Sequence, residues 1–213
     1  MKKITLILIV FTCLQSITKA QINKGSVLLG GGVNFYNNKE TTSNPNQKEN
    51  SIGFTPVIGV AIRQNLVAGI QLTYSHSKNN KLTSAPAPDY ENNLYGAEVF
   101  LRKYLLLGKN FYLFGQTSLY YRNSKYTYNY ITYTTEQKDQ SIGMGLYPGI
   151  SYAVTKRFHL EVSLANLISF EYSNHKYINA GVITEDRHGE SFNATASSLS
   201  NLTIGFRFFL MKK

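Results

Sequence analysis

Serine and histidine stand close together at two places in this chain, one of them with an acidic residue, and that combination could support acyl hydrolysis. Ser75-His76-Ser77 is one set; Glu171, Ser173 and His175 are the other. A serine hydrolase needs a nucleophile, a base and an orienting carboxylate within hydrogen-bond reach. Spacing alone does not supply that, and all these residue types are ordinary in polar connections. Metal chemistry has less to work with, because His76, His159, His175 and His188 lie in separate segments without ligand spacing. Glu185, Asp186 and Glu190 carry oxygens suited to calcium, but Arg187 stands among them and favours a solvated charged segment. Glycines 30 to 32 would suit a phosphate loop only if a helix pattern followed, and none does. The expectation is no cofactor, no metal and no enzyme.

The elements that must position these residues read as strands. In residues 199–210, LSNLTIGFRFFL, Leu202, Ile204, Phe206, Phe208 and Leu210 share one face; Asn201, Thr203, Gly205, Arg207 and Phe209 share the other. Crossing a bilayer at a tilt takes roughly 9–11 such residues. Alternating segments recur at 25–36, 52–63, 66–74, 94–104, 111–122, 140–154 and 158–170, which with the last makes eight. Their connections run long, short, long, short, long, short, long, with polar loops expected at 37–50, 75–93, 123–139 and 171–197. That alternation predicts an all-β, eight-stranded antiparallel up-and-down transmembrane barrel with short periplasmic turns and long extracellular loops.

The two faces support the same reading. Ile52, Phe54, Ile58, Val60 and Ile62 on one strand, and Tyr95, Ala97, Val99 and Leu101 on another, would face lipid. Gln71, Thr73, Gln116, Arg122, Ser151 and His159 would face inward. A soluble eight-stranded barrel with an apolar cavity would want the reverse. Aromatic girdles are expected from Phe35, Phe54, Tyr74, Tyr95, Tyr121 and Phe170 at the outer rim, and from Phe111, Tyr152, Phe158 and Phe208 at the inner rim. Inside, Glu161 should pair with Arg207, and Arg63, Arg102 and Glu98 should join a wider lumen network. A lumen of eight strands is just wide enough for side chains to fill. Residues 125–135, KYTYNYITYTT, set Tyr126, Tyr128 and Tyr130 at period 2, with Tyr133 beyond. They read either as a protruding hairpin with an exposed edge for surface binding, or as tyrosines packed on neighbouring loops and headgroups.

Residues 1–20 are of another kind: Lys2 and Lys3 precede an apolar run, and Thr18-Lys19-Ala20 offers small residues for cleavage. They read as a signal peptide, with residues 21–213 forming the barrel domain. A lipid anchor on Cys13 is the weaker reading, since cleavage there would cut the apolar run. Loss of Lys2, Lys3 and Lys19 takes Lys and Arg from 22 to 19 against 12 acids, a net charge of +7. Export and the absence of a basic-aromatic motif exclude nucleic acid as the partner and favour anionic headgroups.

With KGSVLLGGGVNF, FTPVIGVAIRQNLVAGIQLTY, GAEVFLRKYLLLGKNFYLFGQTSLYYR, GLYPGISYAVTKRFHLEVSLANL and LTIGFRFFL, the chain resembles the small outer-membrane β-barrel proteins of the OmpA/OmpX-like porin family, common in Bacteroidetes-type Gram-negative bacteria. The resemblance implies a monomer in the cell outer membrane, both termini periplasmic, surrounded by lipid and lipopolysaccharide. It implies insertion by the barrel assembly machinery, which reads a terminal aromatic residue. Here Met211-Lys212-Lys213 follow Leu210, so recognition would fall to Phe208 or Phe209. The expected role is envelope structure and surface interaction, with the ligand unspecified; the alternatives are a narrow porin and a lipid A-modifying barrel enzyme.

Overall fold

The computed structural model describes residues 22–40, 47–81, 89–130, 133–164, 167–179, 182–194 and 202–210. The expected signal peptide, Cys13 and the three C-terminal residues lie outside them. Twelve strand segments form one antiparallel sheet. They are β1 (Val27–Gly31), β2 (Val33–Glu40), β3 (Gln47–Phe54), β4 (Val57–Arg63), β5 (Leu66–Lys81) and β6 (Asp89–Leu106). The chain continues through β7 (Phe111–Asn129), β8 (Thr134–Ala153), β9 (Phe158–Leu164), β10 (Ile168–Asn179), β11 (Val182–Ala194) and β12 (Leu202–Leu210).

Closure uses eight of the twelve. β1, β4, β5, β6, β7, β8, β9 and β12 each pair with the next, and β12 returns to β1 through Val27↔Leu210 to Gly31↔Phe206. A ring leaves no unpaired N–H or C=O row in lipid. The expected count of eight therefore describes the wall, and the other four segments, β2, β3, β10 and β11, extend its ladder past local breaks. One break falls at Thr55-Pro56, where Thr55 and Gly32 exchange backbone bonds of 2.9 and 3.2 Å before the ladder resumes. Another faces Tyr147-Pro148, between the pairs Leu146↔Ile168 and Gly149↔Ser163. Proline has no N–H to give the ladder, so breaks gather where it sits.

The loops expected at 37–50, 75–93, 123–139 and 171–197 are largely strand. β5 runs to Lys81, β6 begins at Asp89, β7 reaches Asn129 and β11 fills Val182–Ala194. The hydrogen-bond ladder continues past the apolar band with polar residues on both faces, so alternating hydropathy no longer marks it. The other end is short: Gln64-Asn65, with Asn65 at φ 57°, and tight links at 107–110 and 154–157. Asparagine tolerates this left-handed conformation better than most residues.

The exterior is apolar as expected. Ile58, Val99, Met144 and Ile204 are about half exposed or more, which a protein in water would not sustain as a continuous band. Girdle positions pair across strands, with Tyr74 and Tyr95 rings 5.2 Å apart, Phe111 and Tyr152 4.8 Å, and Phe158 and Phe208 4.8 Å. The interior differs from the expectation at its short-turn end, which is an apolar floor rather than a polar one. Leu28, Val67, Tyr104, Tyr112, Phe114 and Phe209 pack there. Ile22 corks it, buried and tied to Asn65 by N–H···Oδ1 at 2.9 Å and C=O···H–N at 3.0 Å.

Candidate functional site

The floor carries the charges. Glu161 on β9 lies among two guanidiniums and a phenol: Arg102 Nη1 is 2.6 Å from Oε2, Arg207 Nε is 3.3 Å from Oε2, and Tyr104 donates to Oε1 at 2.9 Å. The Glu161–Arg207 pair is as expected, although Arg207 faces His159 in register and reaches Glu161 diagonally. Arg102 also donates to Gln116 through Nε at 2.8 Å, and its guanidinium lies 4.5 Å from the centre of the Phe114 ring. Gln116 passes the network to Glu98 at 2.7 Å, and Ser118 donates to the same carboxylate oxygen. Two positive and two negative side chains are buried together here: Glu161 lies against both guanidiniums, Glu98 is held by neutral donors, and Arg207 Nε, although 3.3 Å from Glu161, makes no hydrogen bond. A cavity of about 180 Å³ borders the cluster on Glu98, Arg102, Gln116 and Arg207.

Arg63 does not join. A register shift between Ala61 and Arg63 ends the alternation one residue early and turns Arg63 out into solvent at the short-turn end. Tyr104 was the missed member, although the parity that sends Leu101 outward sends residue 104 inward. Gly30 was missed in a different way. It faces Arg207 across the closing seam, and a Cβ there would lie 2.8 Å from Arg207 Cδ. The glycine run thus clears room for the buried arginine.

Toward the long-strand end the lumen becomes a polar mouth. Arg122 on β7, Ser141 on β8 and Ser173 on β10 share one hydrogen-bonded row; Ser124, Asp139 and His175 share the next. His175 Nδ1 is 2.9 Å from Asp139 Oδ1, and His175 Nε2 is 3.1 Å from Ser173 Oγ. Gln137 Nε2 holds both Asp139 oxygens at 3.0 Å. The carboxylate here is Asp139 from another strand. Glu171, its expected counterpart, instead accepts from Tyr120 at 3.0 Å and faces Arg122 Nη1 at 3.9 Å. The other set does not assemble: His76 bonds Asn93 at 2.9 Å, while Ser77 donates to Ser51 at 2.9 Å. Glu185 takes Arg187, and Asp186 has Lys176 at 3.4 Å with His188 at 3.7 Å, so Arg187 and Lys176 already engage these two acids.

The tyrosines divide between mouth and tip. Tyr126 and Tyr128 have the inward parity of Tyr120 and are half-buried, their rings 6.3 Å apart and near parallel; Tyr90 lies 6.2 Å from Tyr128. Tyr130 and Tyr133 stack at 4.4 Å across the turn, with Tyr133 exposed. Of the two readings of this segment, the exposed edge does not form among the described residues, because β7 pairs with β6 and β8 as far as Asn129. Among the described residues it is β2 and β11 that have a single strand neighbour each.

A family comparison agrees with this architecture. The family model described as "Outer membrane protein beta-barrel domain" matches residues 4–208. No curated protein matches the sequence. Among solved structures, the chain is similar to Neisserial surface protein A at 15% identity, over 89% of this chain and 99% of that one, with a TM-score of 0.37. It is similar to the translocator domain of the autotransporter NalP from Neisseria meningitidis at 12% identity, over 90% of this chain and 66% of that one, with a TM-score of 0.46. It is also similar to the ferric yersiniabactin uptake receptor FyuA from Yersinia pestis at 11% identity, over 70% and 24%, with a TM-score of 0.35. The match over nearly the whole chain, together with the closed ring and its apolar exterior, makes this protein a member of the outer membrane protein beta-barrel domain family, located in the outer membrane.

Proposed function

We propose that this barrel serves envelope structure and surface interaction and does not act as a diffusion pore. Its short turns and both chain ends face the periplasm, its long strands stand outside among lipid and lipopolysaccharide, and the barrel assembly machinery inserts it as a monomer. The observation that supports the sealed lumen is the buried Arg102–Glu161–Arg207 cluster resting on the Tyr104–Phe114–Phe209 floor. An aromatic floor excludes water, and opening the ion cluster above it would separate buried opposite charges. Planar-bilayer recordings of the refolded protein should show no steady single-channel current; large, stable conductance steps would overturn the sealed reading.

The surface role falls to the hairpin tip. The stacked Tyr130–Tyr133 pair presents rigid aromatic area at the far end of the longest strands, and tyrosine is a favoured contact residue. Alanine at both positions should leave the folded barrel intact while reducing adhesion of cells that display it. Adhesion equal to that of the parent would remove the tip from the account.

A further inference from the structure

Most of the polar groups in the mouth neutralise or hold one another, but one arrangement is ordered for reaction. Asp139 as a carboxylate has no proton to give, so the 2.9 Å contact requires His175 Nδ1 to carry one. In the neutral ring Nε2 is then an acceptor, and the hydroxyl within its reach is Ser173 at 3.1 Å. That is the tautomer and the order a serine nucleophile needs: Oγ to Nε2, Nδ1 to carboxylate. Ser173 Oγ also lies 3.4 Å from the Gly189 carbonyl, the longer of its two contacts.

Three further features suit a site. Gln137 fixes the carboxylate, so the histidine ring is oriented before any ligand arrives. Gly189 faces Ser173 in register, and a Cβ there would sit 3.4 Å from Oγ, so glycine leaves that flank of the nucleophile open. Arg122 lies in the row of Ser173 across Ser141, with its Nη1 3.9 Å from Glu171 on β10, so a positive charge stands on the same rim of the mouth.

We propose that Ser173, His175 and Asp139 form a hydrolytic site for carboxylic esters entering the mouth from the long-strand end. Ser173 Oγ attacks the ester carbonyl carbon while its proton passes to His175 Nε2. The bond to the alcohol oxygen breaks, and the alcohol leaves with that proton. Water then adds to the acyl carbon, giving a proton to Nε2. The acyl–Oγ bond breaks, the carboxylic acid departs, and the proton returns to Oγ. Water is the sole co-reactant. Tyr126 stands one inward position beyond the Ser124–Asp139–His175 row, on the side from which the ester would enter. The activity is independent of whether the lumen below is sealed.

The test uses the full chain refolded in detergent micelles, with p-nitrophenyl butyrate as substrate and a fluorophosphonate as the covalent probe. The parent should hydrolyse the ester about a hundredfold faster than Ser173→Ala, and the probe should label the parent and not that variant. Asp139 is a positioning residue, so Asp139→Asn should lower kcat while leaving KM unchanged. Ser77→Ala should match the parent, and a folded-to-unfolded gel shift in every variant excludes misfolding as the cause. A parent no faster than Ser173→Ala, or equal labelling of the two, would overturn the assignment.

Discussion

Replacing Glu161 by glutamine should destabilise the barrel by about 3–5 kcal/mol, the usual loss when one partner of a buried ion pair is removed. The side chain is 3% exposed and neutralises both Arg102 and Arg207. Without its charge, Arg102 keeps Gln116, Tyr104 and the Phe114 ring. Arg207 keeps only weaker partners, the carbonyls of Phe206 at 2.9 Å and Gly31 at 3.3 Å. Two guanidiniums then face each other in an interior of low dielectric. The loss should appear as a lower temperature for the heat-modifiable gel transition and a lower urea midpoint, with no gain in conductance, because the aromatic floor is untouched. Replacing Arg102, Glu161 and Arg207 together by apolar residues of similar volume should recover most of the loss, since desolvation then costs nothing. A midpoint for Glu161→Gln equal to that of the parent would mean the cluster is not buried as described.

Gly30→Val should act earlier, on closure itself. Gly30 pairs with Arg207 on one side and Val57 on the other, in the segment that joins the first strand to the last. A Cβ at this position would run into the Phe206 carbonyl oxygen and lie 2.8 Å from Arg207 Cδ. The first is backbone within the closing ladder and cannot turn aside, so overpacking costs at least about 1–3 kcal/mol. A barrel that fails to close leaves unpaired edges in lipid. The expected result is a large fall in the heat-modifiable folded fraction, with the remainder open to protease. By contrast Gly108, which has nothing within 4 Å of its Cβ position, should accept alanine with the folded fraction unchanged. Equal folded yields for Gly30→Val and the parent would show that the seam is looser than drawn.

What the sequence reveals about this fold follows from the solvent on each side. In the bilayer, outward positions must be apolar while inward ones need only be satisfied, so Ile58, Val60, Val99, Leu101, Ile204 and Phe206 stand in strict alternation and the wall can be read directly. Beyond the girdles both faces meet water, and the constraint vanishes. β11 is polar throughout most of its length, and strand and loop look alike there. Arg63 was misplaced because a bulge breaks parity without leaving any mark in composition. Asp139 was overlooked as a companion of His175 because the register of β8 against β10, not spacing along the chain, brings them together. Ile22 looked like the first residues of a mature chain and is in fact the cork of the floor.

The central claim is a closed wall whose outward residues touch lipid and whose inward residues fill the lumen. It is tested most directly by nitroxide accessibility along β7. Single cysteines at Gln116, Thr117, Ser118, Leu119, Tyr120 and Tyr121, in a chain with Cys13 replaced, are spin-labelled and reconstituted in lipid vesicles. Thr117, Leu119 and Tyr121 are exposed in the structure, and the three residues alternating with them are buried. The account predicts high oxygen accessibility at 117, 119 and 121 and protection at 116, 118 and 120. A flat profile, or one with the opposite phase, would contradict it.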